Sequence, residues 1–258
     1  MSVDVTGAPP VDRPLEPPPA APVRPAPVPG PALEPVYVWD LLVRSTHWVI
    51  VFTVVLLTAT GIYIGRPFLV SSGPAGSNFI MGWMKVVHYY ASIAFSLAVF
   101  ARMVWMFTGP PQARWNQFVP VTKKRWQELI DTLKFYMLMR KRPPEAMGHN
   151  AMAGAAYVVV FGLYLLVIFT GFALYSVSAH ASYMKMWDFL LPIFGGIMGA
   201  RWLHHVTMWL ILGFVVQHIF SSVLMARVEK NGTLDSIFSG WKFLPRDRNG
   251  KSDSGKSG

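Results

Sequence analysis

The chain contains no cysteine. That absence excludes cysteine-ligated iron–sulfur clusters, thiol catalysis, structural disulfides and the C-x-x-C-H attachment of a c-type haem. Any redox cofactor must be held by other ligands, and histidine is the obvious one. Acidic residues are also scarce, with 13 Asp and Glu against 23 Lys and Arg, for a net charge of +10. In a soluble protein that excess would suggest nucleic acid. Here the basic residues sit between apolar runs, so membrane topology accounts for them and no nucleic-acid partner is expected. Charge itself is nearly missing from four stretches of about twenty residues, the length a helix needs to cross a bilayer.

Those stretches run over about 46–64, 86–107, 151–175 and 202–226. Each is too long to be a buried soluble helix without a polar face. The expected fold is therefore an all-α membrane protein, a four-helix transmembrane bundle occupying residues 36–243 and embedded in lipid. Residues 1–35 are dominated by proline and alanine, as in Pro17-Pro18-Pro19. Such a segment cannot build a core and reads as a disordered, extended tail. It lacks the basic and apolar regions of a cleaved leader. Residues 244–258 read as a polar, flexible C-terminal tail.

Basic residues set the expected orientation. Three precede the first span, eight lie between the second and third, and seven follow the fourth. The first and third connections carry two each, Arg66 with Lys85 and Lys185 with Arg201. The positive-inside rule assigns the basic side to the cytoplasm, so both termini are expected there, in a bacterial inner membrane. Trp126, Leu129, Ile130, Leu133 and Met137 fall at helical spacing, which predicts an amphipathic interfacial helix over 126–139. The outer stretch 183–197 is apolar but broken by Pro192 and Gly195-Gly196, and reads as an interfacial or docking segment. No internal repeat is evident.

Four of the seven histidines form a pattern. His204 and His218 are fourteen residues apart in the fourth span, which returns them to within about 40° of one face and separates them by about 21 Å. His205 lies about 100° away from His204 and is a poor substitute. His47 opens the first span from the cytoplasmic side and His88 opens the second from the outer side. Depth therefore pairs His47 with His218 and His88 with His204, as axial ligands of two haem b groups. Two imidazoles on one iron leave no open position, which suits electron transfer. A lone histidine at a helix end more often serves as an interfacial or hydrogen-bonding residue, and a protonatable relay is the main competing use.

Arg102 lies fourteen residues after His88 and carries a costly intramembrane charge, for which a haem propionate is a suitable partner and snorkelling the alternative. Gly61 and Gly171, each preceded by threonine, leave room for a porphyrin or a neighbouring helix.

These residues carry a resemblance. Arg44-Ser45-Thr46-His47-Trp48, Thr60-Gly61-Ile62-Tyr63-Ile64-Gly65, Met81 to His88, Gly148-His149-Asn150, Thr170 to Tyr175, and His204-His205-Val206-Thr207-Met208-Trp209-Leu210 form an ordered set. Over about residues 36–243 the chain resembles the b-type cytochrome subunit of membrane-bound nickel–iron hydrogenases. The resemblance implies a periplasmic hydrogenase, with iron–sulfur small and large subunits, that delivers electrons through two haems to menaquinone or ubiquinone. It assigns the His88/His204 pair to the outer haem and the His47/His218 pair to the inner one. By likeness to the related formate dehydrogenase cytochrome, it also suggests that His149 or Asn150 contacts the quinone; Asn150 could equally cap the third helix. Alanine at position 151, where the family usually has proline, is a departure. Alternatives are a cytochrome for formate dehydrogenase or thiosulfate reductase, or a haem-free anchor or proton-conducting transporter. Hydrogen oxidation itself would lie in the partner.

Overall fold

The structure is a computed structural model, and it describes residues 33–68, 79–110, 114–115, 122–139, 151–179 and 182–245. Most of the chain's helix lies in four long segments: α1 (Leu41–Gly65), α2 (Ile80–Thr108), α4 (Ala151–Ser178) and α6 (Gly196–Glu229). All four are long and apolar enough to cross a membrane. Their outward faces present Phe52, Val55, Leu97, Phe100, Val159 and Val216, each exposed. Exposed apolar area on that scale is a liability in water and the natural state in lipid. The protein is an all-α, multi-pass membrane protein.

Helices α1, α2 and α6 begin earlier than the apolar runs suggest, whereas α4 begins at Ala151 as expected. Asp40 caps α1, its Oδ1 accepting from the Val43 backbone N–H at 2.8 Å, so the helix starts one turn ahead of Thr46. Its other oxygen accepts from Trp105 Nε1 at 2.7 Å, which ties the start of α1 to the end of α2. Along α1, Thr46, Thr53 and Thr60 recur every seven residues and are all buried. Each hydroxyl donates to the carbonyl four residues back, at 2.7, 2.7 and 2.6 Å, which satisfies it inside the bundle. A face of such compact residues lets a second helix pack closely. At the centre, Phe95 and Val99 of α2 meet Val160, Phe161 and Tyr164 of α4 and Ile211 of α6.

The connecting helix α3 (Lys123–Tyr136) starts and ends three residues before the stretch predicted, and Leu138, with φ of 61°, marks the turn beyond it. At its C-terminal end Tyr136 reaches Ser221 of α6; burial pushes its phenol up, and that hydrogen bond opposes the shift. On the other side of the bundle, a 3-10 helix (Ser182–Trp187) and the single turn α5 (Leu190–Ile193) lead into α6. Trp187 packs on Phe172 at 4.9 Å, and Lys185 Nζ donates to the Ser176 carbonyl at 2.9 Å, which holds this segment against α4.

Two strands were not expected. β1 (Leu33–Tyr37) pairs antiparallel with β2 (Trp241–Pro245), and α7 (Thr233–Ser239) precedes β2. This clasp joins the segment before α1 to the segment after α6, so both ends of the membrane domain meet at one end of the bundle. Trp39 Nε1 donates to the buried Ser236 Oγ at 3.1 Å, and Arg44 donates to the Phe238 carbonyl. Gly240 has φ of 88°, and a Cβ there would lie 2.5 Å from the Tyr37 ring, so the turn requires glycine. Lys242, only 5 % exposed, donates to Glu229 Oε2 at 3.0 Å. Glu229 is partly exposed and also accepts from Asn231 Nδ2 at 2.8 Å and Thr233 Oγ1 at 3.2 Å. Glu229→Ala leaves the buried Lys242 ammonium unpaired and is therefore expected to lower the thermal unfolding midpoint in detergent, with Lys242→Met added to it recovering part of the loss.

A paired-histidine site in the bundle

Helix geometry brings the predicted histidines into two groups. At the end of the bundle that carries the clasp, His47 of α1 and His218 of α6 have ring centroids 6.3 Å apart, with planes inclined at 56°. Metal–imidazole bonds of about 2 Å on each side, with the half-width of each ring, place two imidazoles sharing one metal about 6 Å apart. The spacing therefore suits a shared iron. Trp48 lies edge-on to His47 at 5.3 Å and packs on Phe238 of α7 at 4.8 Å. Phe214, one turn before His218, stacks on it at 5.7 Å. The clasp is thus in van der Waals continuity with this histidine pair. His47 Nδ1 is buried and has no hydrogen-bond partner among the described residues.

At the other end, His88 of α2 and His204 of α6 are near enough to interact electrostatically. His88 Nδ1 is 2.8 Å from Thr60 Oγ1 of α1, and His204 Nδ1 is 3.0 Å from Thr170 Oγ1 of α4. The glycines singled out above turn out to face these rings. A Cβ on Gly61 would lie 3.3 Å from His88 Cε1, and one on Gly171 would lie 3.4 Å from His204 Cε1. What approaches each glycine is therefore a histidine from the neighbouring helix. The threonine before each glycine was visible in the sequence, but its reach to a ring on another helix was not.

The remaining positions separate cleanly. His205 turns its ring to Gly65 of α1, where an added Cβ would lie 2.9 Å from Nε2, and its Nδ1 sits 2.9 Å from the Arg201 carbonyl. It is held by α1 and its own helix, with its ring edge-on to that of His204 at 6.4 Å. Arg102 is 4 % exposed, with its guanidinium 5.3 Å from the centre of the Tyr157 ring and near Asp40. That contact is a cation–π arrangement in an apolar setting. His149 and Asn150 lie outside the described residues.

Among the described residues no three His, Asp or Glu side chains converge on one point. The donor set is imidazole in pairs, which fits a haem iron with both axial positions filled and not a cage for a bare ion. The 6.3 Å spacing of His47 and His218 fits the same group.

Residues 38–240 match the family described as prokaryotic cytochrome b561. Curated relatives agree over most of their own length. A protein of Cupriavidus necator named "Probable Ni/Fe-hydrogenase B-type cytochrome subunit" is 31% identical over 217 residues, covering 83% of this chain and 89% of the relative. The protein of the same name in Azotobacter vinelandii is 30% identical over 219 residues, covering 83% and 90%. A "Probable Ni/Fe-hydrogenase 1 B-type cytochrome subunit" of Escherichia coli K12 is 30% identical over 211 residues, covering 80% and 90%. With four apolar helices, paired imidazoles and a match spanning the whole bundle, the chain belongs to the prokaryotic cytochrome b561 family, as a multi-pass membrane cytochrome carrying haem b.

Proposed function

We propose that this chain is the dihaem membrane subunit of a nickel–iron hydrogenase, taking electrons from a periplasmic partner and delivering them to quinone. The observation that carries the reading is the pairing of four imidazoles, two at each end of one bundle, with His204 and His218 about 21 Å apart along α6. His88 with His204, and His47 with His218, would each hold a haem b, which would supply a one-electron carrier at each end.

The chain's own residues perform the rest. Four apolar helices exclude water between the two pairs, and Thr60 and Thr170 hold the rings of His88 and His204. Arg102 supplies buried positive charge of the sign a haem propionate needs, at the end where Asp40 caps α1. The loops rich in lysine and arginine belong to the end with the clasp, which the positive-inside rule assigns to the cytoplasm of the bacterial inner membrane. Quinone reduction is assigned to that end, with His149 or Asn150 as its contact by likeness to the formate dehydrogenase cytochrome alone. Relatives whose names associate them with Ni/Fe hydrogenase support the choice of partner.

The test is purification of the full chain with whatever accompanies it. Two b-type haems per chain in the reduced-minus-oxidised spectrum, with co-purified nickel and quinone-reducing activity, is the expected result. One haem or none overturns the dihaem assignment, and co-purified molybdenum in place of nickel overturns the partner.

A further inference from the structure

The two rings at the His88/His204 end are held by the same two-residue device, used twice on different helix pairs. Thr60-Gly61 of α1 faces His88 of α2, and Thr170-Gly171 of α4 faces His204 of α6. Each threonine hydroxyl also lies close to the carbonyl four residues back, Leu56 at 2.6 Å and Leu166 at 2.7 Å. A hydroxyl has a single proton, and a carbonyl oxygen can only accept. That proton therefore goes to the carbonyl, and each threonine oxygen accepts from an imidazole Nδ1–H, with the Val167 carbonyl as a further acceptor for His204. The tautomer follows: Nδ1 carries the proton of His88 and of His204, and Nε2 presents its lone pair.

At the other end the arrangement differs. His47 Nδ1 is buried without a hydrogen-bond partner among the described residues, and the rings around this pair are those of Trp48 and Phe214. An imidazole whose N–H is drawn toward an acceptor becomes a stronger electron donor through its other nitrogen. A stronger donor favours the ferric over the ferrous state.

We propose that Thr60 and Thr170 are positioning residues that fix the tautomer of His88 and His204 and, by accepting from Nδ1–H, make the haem between them the lower-potential of the two. This rests on the reading that each histidine pair holds a haem. The chain thereby builds a downhill direction into the bundle, from the His88/His204 end to the His47/His218 end. The paired Thr-Gly steps are an internal correspondence between α1–α2 and α4–α6, confined to the residues that hold the rings.

Potentiometric titration of the full-length protein, followed in the b-type absorption bands, tests it on Thr60→Val, Thr170→Val, the double variant, Thr60→Ser and Thr170→Ser. Thr53→Val is the matched control, since Thr53 is buried on the same helix and back-bonds to Val49 in the same way. Each valine is expected to raise the lower midpoint potential, with a larger rise in the double variant, the higher potential unmoved, and serine at the wild-type value. Loss of only the low-potential haem in the valine variants, with retention in the serine variants, carries the same meaning for positioning. Unchanged potentials, serine behaving like valine, or an equal shift in Thr53→Val would overturn the proposal. Failure of the underlying reading looks different: His88→Ala and His204→Ala would then leave the wild-type haem content untouched.

Discussion

On the dihaem reading proposed above, His204→Ala is expected to leave one haem of two, and adding His88→Ala to remove nothing further. Both histidines lie at one end of the bundle, so loss of either leaves that iron with a single protein ligand. The same holds for His47 and His218, whose rings are 6.3 Å apart. Variants within a pair are therefore expected to be non-additive, as for any two groups that act as a unit. A variant that combines the pairs, His47→Ala with His88→Ala, is expected to lose both haems and all quinone reduction. Haem-to-protein ratio, measured on the purified bundle, is the readout. A His47→Ala/His88→Ala protein that keeps one haem would break the pairing of the four residues.

The second large effect concerns Gly61 and Gly171. The space beside each is occupied by the Cε1 of a histidine at 3.3 and 3.4 Å from an added Cβ. Alanine at either position asks the ring to give by a few tenths of an ångström, while the helix gains about 1 kcal/mol of intrinsic propensity. Alanine variants should fold at least as well as the parent and keep both haems. Leucine cannot be placed without pushing the imidazole off its threonine, so Gly61→Leu and Gly171→Leu should each lose the haem of the His88/His204 pair and retain the other. Gly162 of α4 supplies the control, because nothing lies within 4 Å of an added Cβ there. Gly162→Leu should keep two haems. Equal losses in all three leucine variants would mean that the defect is in helix insertion and not at the rings.

How much of this could be read in the residues depends on the range of the interaction. Four uncharged runs announce four spans because the bilayer imposes one length and one chemistry on each. Helix starts are less visible, since α1 opens at a capping carboxylate with Arg44 in its first turns, and that charge hides five residues of helix from a hydropathy reading. Pairing by depth was possible for His47 and His218 because helical rise converts sequence number into height. Contacts of His88 and His204 with threonine hydroxyls were not legible, because depth says nothing about which neighbouring helix supplies the acceptor. The strands were the least legible. Each has five residues, includes a proline, and finds its partner about two hundred positions away. No local periodicity marks such a pair.

That long separation has a consequence for how the molecule is made. Residues 33–37 leave the ribosome before α1, yet their partner strand, 241–245, follows α6. The clasp can close only when translation of the membrane domain is finished and all four helices are threaded with the correct parity. An interrupted chain, or one with a span inserted the wrong way round, leaves Leu33 and Tyr37 without their cross-strand neighbours. Closure therefore marks a completed four-helix bundle, at the end where His47 and His218 sit.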